Sequence, residues 1–118
     1  MTSRLENLRA ILDEKSLDAL FVSSPENRQY LSGFSGSAGY LIVTLHDAIL
    51  ATDFRYVEQA GRQAPDFRVH QIRSGTQWFA ELVNEVSARR IGFESEDLSV
   101  ATYHRLREVL KEHTPKSK

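Results

Sequence analysis

The residues whose types and spacing could do chemistry are concentrated between positions 23 and 56, and the densest group is Thr52-Asp53-Phe54-Arg55-Tyr56. A carboxylate, a guanidinium and a phenol stand there within a single turn of chain. Two readings of this turn are open. Asp53 can cap a helix start, worth about 1 kcal/mol, while Arg55 is solvated and Tyr56 packs in the core. Alternatively, Arg55 stands in the first turn of a helix just past the carboxyl end of a sheet strand, where open α/β sheets bind ligands. A guanidinium in that place could grip a carboxylate bidentately, which a lysine could not.

Other candidates give way to simpler accounts. Gly33, Gly36 and Gly39 suggest a phosphate cradle, but a phosphate loop follows a strand and opens a helix, whereas here a helix precedes and a strand follows. No Gly-Lys-Ser or Gly-Lys-Thr comes after them, so they are expected to form turns. His46, His70, His104 and His113 lie too far apart for a metal site. A two-metal nuclease needs carboxylates grouped on central strands. This chain offers Asp18 ahead of the first strand and no acid in the hairpin strands before Asp53. Glu94, Glu96 and Asp97 precede the last helix, whose dipole favours acids and which Asp97 or Ser99 could cap. There is no Gly-x-Ser-x-Gly elbow. The absence of cysteine removes disulfides, thiolate nucleophiles and cysteine-ligated zinc.

The elements that must position these residues follow from periodicity. Ser3 and Glu6 fit a capping box ahead of Leu5, Leu8, Ile11 and Leu12 at helical spacing. Ala19 to Val22 is a buried strand. Ser24 caps a second helix with Pro25 at its first position and Gly33 at its end, Tyr30 and Leu31 supplying the buried side. Tyr40 to Thr44 and Ala48 to Ala51, joined by the turn at His46 and Asp47, pair as an antiparallel hairpin. Asp53 then begins a helix with Tyr56, Val57, Ala60 and Ala64 on one face, stopped by Pro65. Phe67 to Ile72 alternates weakly, as suits a strand near an edge. Ser74 and Gln77 could cap the helix carrying Trp78, Phe79, Leu82, Val83 and Val86. Ile91 to Phe93 is a short strand, and Val100, Tyr103, Leu106 and Leu110 face inward from a final helix. About five strands with helices between most of them predict a layered α/β domain with a mixed sheet.

At 118 residues, with 41% hydrophobic and 26% charged content, the chain fits one globular domain of ordinary composition. A net charge of -1, with 15 basic residues interleaved among 16 acidic ones, speaks against nucleic acid as a partner. No run approaches the roughly 20 apolar residues of a membrane span, and the first residues lack a signal-peptide pattern. A cytoplasmic protein is expected.

Four motifs in order carry a family likeness: Asn27-Arg28-Gln29-Tyr30-Leu31-Ser32-Gly33-Phe34, Ser35-Gly36-Ser37-Ala38-Gly39 before an apolar strand, Thr52-Asp53-Phe54-Arg55-Tyr56, and Ile91-Gly92-Phe93-Glu94. Nearly the whole chain resembles the N-terminal domain of the creatinase, prolidase and aminopeptidase P group. The resemblance implies a ribonuclease H-like three-layer α/β/α sandwich spanning residues 1–113, with 114–118 as tail or linker to a C-terminal pita-bread catalytic domain outside this chain. That domain would hold two divalent metal ions, commonly Mn²⁺, Co²⁺ or Zn²⁺, on two Asp, one His and two Glu. The resemblance therefore implies no catalytic residue, metal or other cofactor in this chain, and no activity for it alone. Its role would be to close the substrate cleft and build a homodimer in a parent that cleaves peptides with proline second. Arg55, Tyr56 and Phe54 are the residues expected to face that cleft, Arg55 near a substrate carboxylate or peptide backbone, with Ser24, Gly33, Gly36, Gly39 and Asp53 as caps or turns. A free-standing binding or scaffold module and a creatinase-like amidinohydrolase parent are the alternatives.

Overall fold

The period of two along the strands divides the hydrophobic residues between two faces of one sheet. In the computed structural model, which describes residues 3–113, the strands are β1 (Ala19–Val22), β2 (Tyr40–Thr44), β3 (Ala48–Thr52), β4 (Arg68–Gln71) and β5 (Ile91–Phe93). Their order is β4-β3-β2-β1-β5. The helices are α1 (Arg4–Glu14), α2 (Pro25–Ser32), α3 (Val57–Gln63), α4 (Gln77–Glu85) and α5 (Val100–His113), and a 3-10 turn at Phe54–Tyr56 leads into α3. Phe21, Ile42 and Ile49 point to one face and pack with Phe79 and Leu82 of α4 and Leu106 and Val109 of α5. Val22, Leu41, Val43 and Leu50 point to the other, against Leu12 of α1, Phe34 and Ala60 of α3. The result is the expected three-layer sandwich.

The hairpin forms in the register Tyr40↔Ala51 to Val43↔Ala48 and makes β2 the central strand. β2 runs antiparallel to β1 and β3, while β1 pairs parallel with β5 and β3 with β4. Four strands therefore point the same way. Their carboxyl ends, at Val22, Thr52, Gln71 and Phe93, share one edge of the sheet with the start of β2 at Tyr40. All the polar turns of interest are strung along that edge.

Local signals mostly act as their chemistry dictates. The Ser3 Oγ accepts from the Glu6 N–H at 3.0 Å and Glu6 Oε1 accepts from the Ser3 N–H at 3.0 Å, closing the capping box. β4 takes the edge position. Three expectations are corrected. Tyr30 is 56% exposed, and the buried residues of α2 are Arg28 and Ser32, because the loop after Gly33 folds over the face that carries residues 28 and 32. Ser74 and Gln77 form no capping pair. Gly75, at φ 66, turns the chain after Ser74, so Thr76 stands at the start of α4 with no side-chain capping bond. On α5, Val100 is exposed and the packed face is Tyr103, Leu106, Val109 and Leu110, since the contact with the core begins one turn in. The 114–118 tail lies outside the described residues.

Phe21 is the centre of an aromatic group on the α4 side, with Phe79 at 5.0 Å, Tyr40 at 5.2 Å and Phe93 at 5.8 Å between ring centroids. Phe21→Ala is expected to cost about 3–5 kcal/mol, seen as a lower urea midpoint at unchanged slope.

Candidate functional site

At the carboxyl edge of the sheet, backbone geometry comes first. Ser24 caps α2 by accepting from the Asn27 N–H at 3.2 Å, and Pro25 occupies the first turn. Gly33 ends the helix at φ 86, a left-handed conformation that glycine adopts without strain. Its two companions serve differently. Gly36 and Gly39 have no positive φ; they are small because the Phe34 ring lies against them, and a Cβ on Gly36 would come within 2.2 Å of that ring.

Arg28 holds this loop down. Its side chain reaches under the loop, and its two terminal nitrogens donate to the carbonyl oxygens of Gly36 at 2.7 Å and Gly39 at 2.8 Å. The residue is only 4% exposed, and burial pulls its pKa below the ordinary arginine value. Ser32, one turn later, donates to the Arg28 carbonyl at 2.6 Å and accepts from the Phe34 N–H at 3.0 Å. Neither residue was singled out from the sequence. The signal was present as Ser24, Arg28 and Ser32 at four-residue spacing, a polar stripe on the face that is buried.

The Asp53 turn rests on this platform. Asp53 is the cap of the 3-10 turn, its Oδ1 accepting from the Arg55 N–H at 3.0 Å. The same carboxylate receives Arg55 Nε at 3.1 Å on Oδ1 and Nη2 at 2.8 Å on Oδ2. The Arg55 guanidinium holds the Asp53 carboxyl below the usual carboxylate range, and Asp53 in turn raises Arg55. Arg55 also lies over the Tyr56 ring, 5.1 Å from its centroid. Tyr56 sets its edge against Phe34, at 5.9 Å between centroids, and its hydroxyl shares a 2.5 Å hydrogen bond with Ser37 of the glycine loop. The structure thus brings Asp53, Arg55 and Tyr56 together and ties them to the loop of Gly36 and Gly39. Phe54 is 73% exposed. A cleft of about 370 Å³ opens beside the turn, and Arg28, Ser37, Tyr40, Thr52 and Asp53 contribute to its wall.

The acidic group after β5 has an unexpected task. Glu94 Oε1 accepts from the Ser23 and Ser24 N–H groups at 2.6 and 2.7 Å, and Oε2 accepts from the Asn27 side-chain amide. Asp97 accepts from the Ser23 hydroxyl at 2.6 Å. Ser99 is the residue that caps α5, through the Thr102 N–H at 3.1 Å. Among the described residues, no group of three or more His, Asp and Glu side chains is placed to hold a metal ion. No helix among them is long and apolar enough to cross a membrane.

This arrangement, a loop-covered helix and an Asp-Phe-Arg-Tyr turn on the carboxyl edge of a mixed sheet, is that of the N-terminal domain of the creatinase and prolidase family. Residues 4–117 match the creatinase/prolidase N-terminal domain, and the chain belongs to that family. It is similar to the uncharacterized peptidase YqhT of Bacillus subtilis, at 34% identity over 101 residues that cover 85% of this chain and 29% of YqhT. The Xaa-Pro dipeptidase from Bacillus anthracis superposes with a TM-score of 0.87 at 32% identity, covering 90% of this chain and 30% of that one. The N-terminal domain of the cytoplasmic peptidase PepQ from Mycobacterium tuberculosis gives 0.84 at 40% identity, covering 92% of this chain and 85% of that one. The chain thus spans under a third of the length of YqhT and of the dipeptidase.

Two outcomes follow from these contacts. Arg28→Met is expected to strand two buried carbonyls, each costing about 1–3 kcal/mol, and to speed hydrogen exchange in residues 35–39. Because the folded pKa of Asp53 is depressed, its contribution is complete above the unfolded value of about 3.9 and is lost as pH falls through the folded one. Wild type and Asp53→Asn should therefore differ in stability at neutral pH and converge in acid, as followed by urea unfolding across pH.

Proposed function

We propose that this chain is the non-catalytic domain of a Xaa-Pro metallopeptidase, walling the substrate cleft of a catalytic domain in the same polypeptide. The observation that carries this reading is the Asp53-Phe54-Arg55-Tyr56 turn. It projects an exposed ring and a guanidinium that is 60% exposed yet fixed by two hydrogen bonds, at the sheet edge where α/β folds meet ligands. Family membership and the partial coverage of full-length peptidases support it.

In this reading Arg55 meets a carboxylate or backbone carbonyl of a peptide with proline second, and Phe54 and Tyr56 give an apolar wall to the cleft shared with the catalytic domain, separate from the hollow of about 370 Å³ that Thr52 and Asp53 line. The two divalent ions that the resemblance implies, Mn²⁺, Co²⁺ or Zn²⁺, would be held by the catalytic domain and would supply an activated water. The parent works as a homodimer, and its cytoplasmic location is in keeping with a relative described as a cytoplasmic peptidase.

Arg55→Ala in the intact peptidase should raise KM for a Xaa-Pro substrate about tenfold or more, the worth of charge-assisted hydrogen bonds of about 1.5–3 kcal/mol. Unchanged KM and kcat would leave Arg55 a purely structural residue. The 118-residue chain with added Mn²⁺ should release no proline from a Xaa-Pro dipeptide; measurable release would overturn the non-catalytic assignment.

A further inference from the structure

A guanidinium can present two adjoining edges to a carboxylate, one formed by Nε and Nη2 and the other by the two terminal nitrogens. Asp53 occupies the first edge of Arg55 with both of its oxygens. The second edge has no partner among the described residues, and the side chain is 60% exposed. One face of the same group is covered by the Tyr56 ring. That ring is fixed in turn by Phe34 and Ser37. Arg55 is a long side chain on the surface, and such groups ordinarily lose rotamer entropy when they bind. Here two neighbours have already removed most of that freedom.

We infer that Asp53 is a positioning residue which, by taking the Nε edge of Arg55, leaves the Nη1/Nη2 edge facing out and so makes the turn read a planar carboxylate end-on. The inference rests on the reading that Arg55 meets the substrate. It adds that the turn discriminates by charge and shape: a free α-carboxylate matches the two parallel N–H groups, whereas a carboxamide offers one oxygen and a clashing donor. Asp53 also offsets the charge of Arg55, so that a ligand is drawn by geometry more than by net charge. Capping the turn asks for one acceptor oxygen, whereas Asp53 gives the Arg55 guanidinium both of its oxygens.

That difference makes the inference testable. Asn at position 53 keeps an acceptor for the Arg55 N–H but cannot receive both guanidinium nitrogens, and Ser is a second good cap lacking the carboxylate. In the intact peptidase, Asp53→Asn and Asp53→Ser are expected to raise KM for alanylproline about fivefold or more with kcat within about twofold, and to leave KM for alanylprolinamide unchanged. In the chain itself, the Arg55 Nε–H resonance should be slow to exchange with solvent in wild type and fast in both variants. An alanylproline KM unmoved by either variant, while Arg55→Ala raises it, overturns the positioning role and leaves the reading of Arg55 standing. A rise equal for acid and amide also overturns it, since a general disturbance of the turn then suffices. If Arg55→Ala itself changes nothing, the reading of Arg55 falls and the inference with it.

Discussion

A guanidinium held beneath a loop at 4% exposure must draw most of its acceptors from the protein, since burying a charge without partners costs several kcal/mol; here the two terminal nitrogens are supplied and Nε has no partner among the described residues. In this domain the supply comes from two carbonyls of the glycine loop, and the geometry of the loop follows from the demand. Gly36 can bring its carbonyl over Arg28 because it carries no Cβ to collide with Phe34, and Gly39 fits closely between the Ala51 carbonyl and the same ring. With the loop down, Ser37 is in place to hold the Tyr56 hydroxyl, and Phe34 to receive the Tyr56 ring. Tyr56 in its turn supports Arg55. A chain of contacts therefore runs from a buried cation to an exposed one, and each link is a packing or hydrogen-bonding necessity.

The carboxyl edge of the sheet is consequently a rigid rim. Parallel β1, β3, β4 and β5 deliver their ends to one side, where chain must turn and leave backbone groups exposed. Two carboxylates answer that need in different ways. Glu94 takes the N–H groups at the head of α2, so that an acid lies where the helix dipole is positive. Asp53 takes the head of the turn before α3 and the side chain next to it. Both carboxylates are engaged in holding backbone N–H groups and, for Asp53, a guanidinium as well.

Much of the fold was legible because it is written in local periodicity. The runs Ala19 to Val22 and Tyr40 to Thr44 are too short and too β-branched or aromatic for helix, and the Ser24-Pro25 start of α2 with its Gly33 stop is explicit. Asp53 and its cap were equally local. What escaped is what depends on tertiary placement. Tyr30 looked buried by type, yet the short α2 turns Arg28 inward and leaves Tyr30 stacked under Arg4, 4.1 Å from its guanidinium. An arginine reads as a surface residue until the loop that covers it is known. Glu94 looked like a neighbour of its own helix, because no periodic signal links positions 94 and 24.

That last contact bears on how the domain is made. Glu94 follows Ser24 by 70 residues, a span that synthesis at about 5–20 residues per second takes about 4–14 s to cover. During that interval the Ser23 and Ser24 N–H groups lack their carboxylate partner, and β1 lacks the neighbour that β5 will become. When Ile91 to Glu94 emerges, one short segment closes the open side of β1 and seals the helix beside it. A chain that has not yet reached Ile91 therefore leaves one edge of β1 unpaired for a neighbouring strand to join, and α5 can bring Leu106 and Val109 to the core only after that edge is closed.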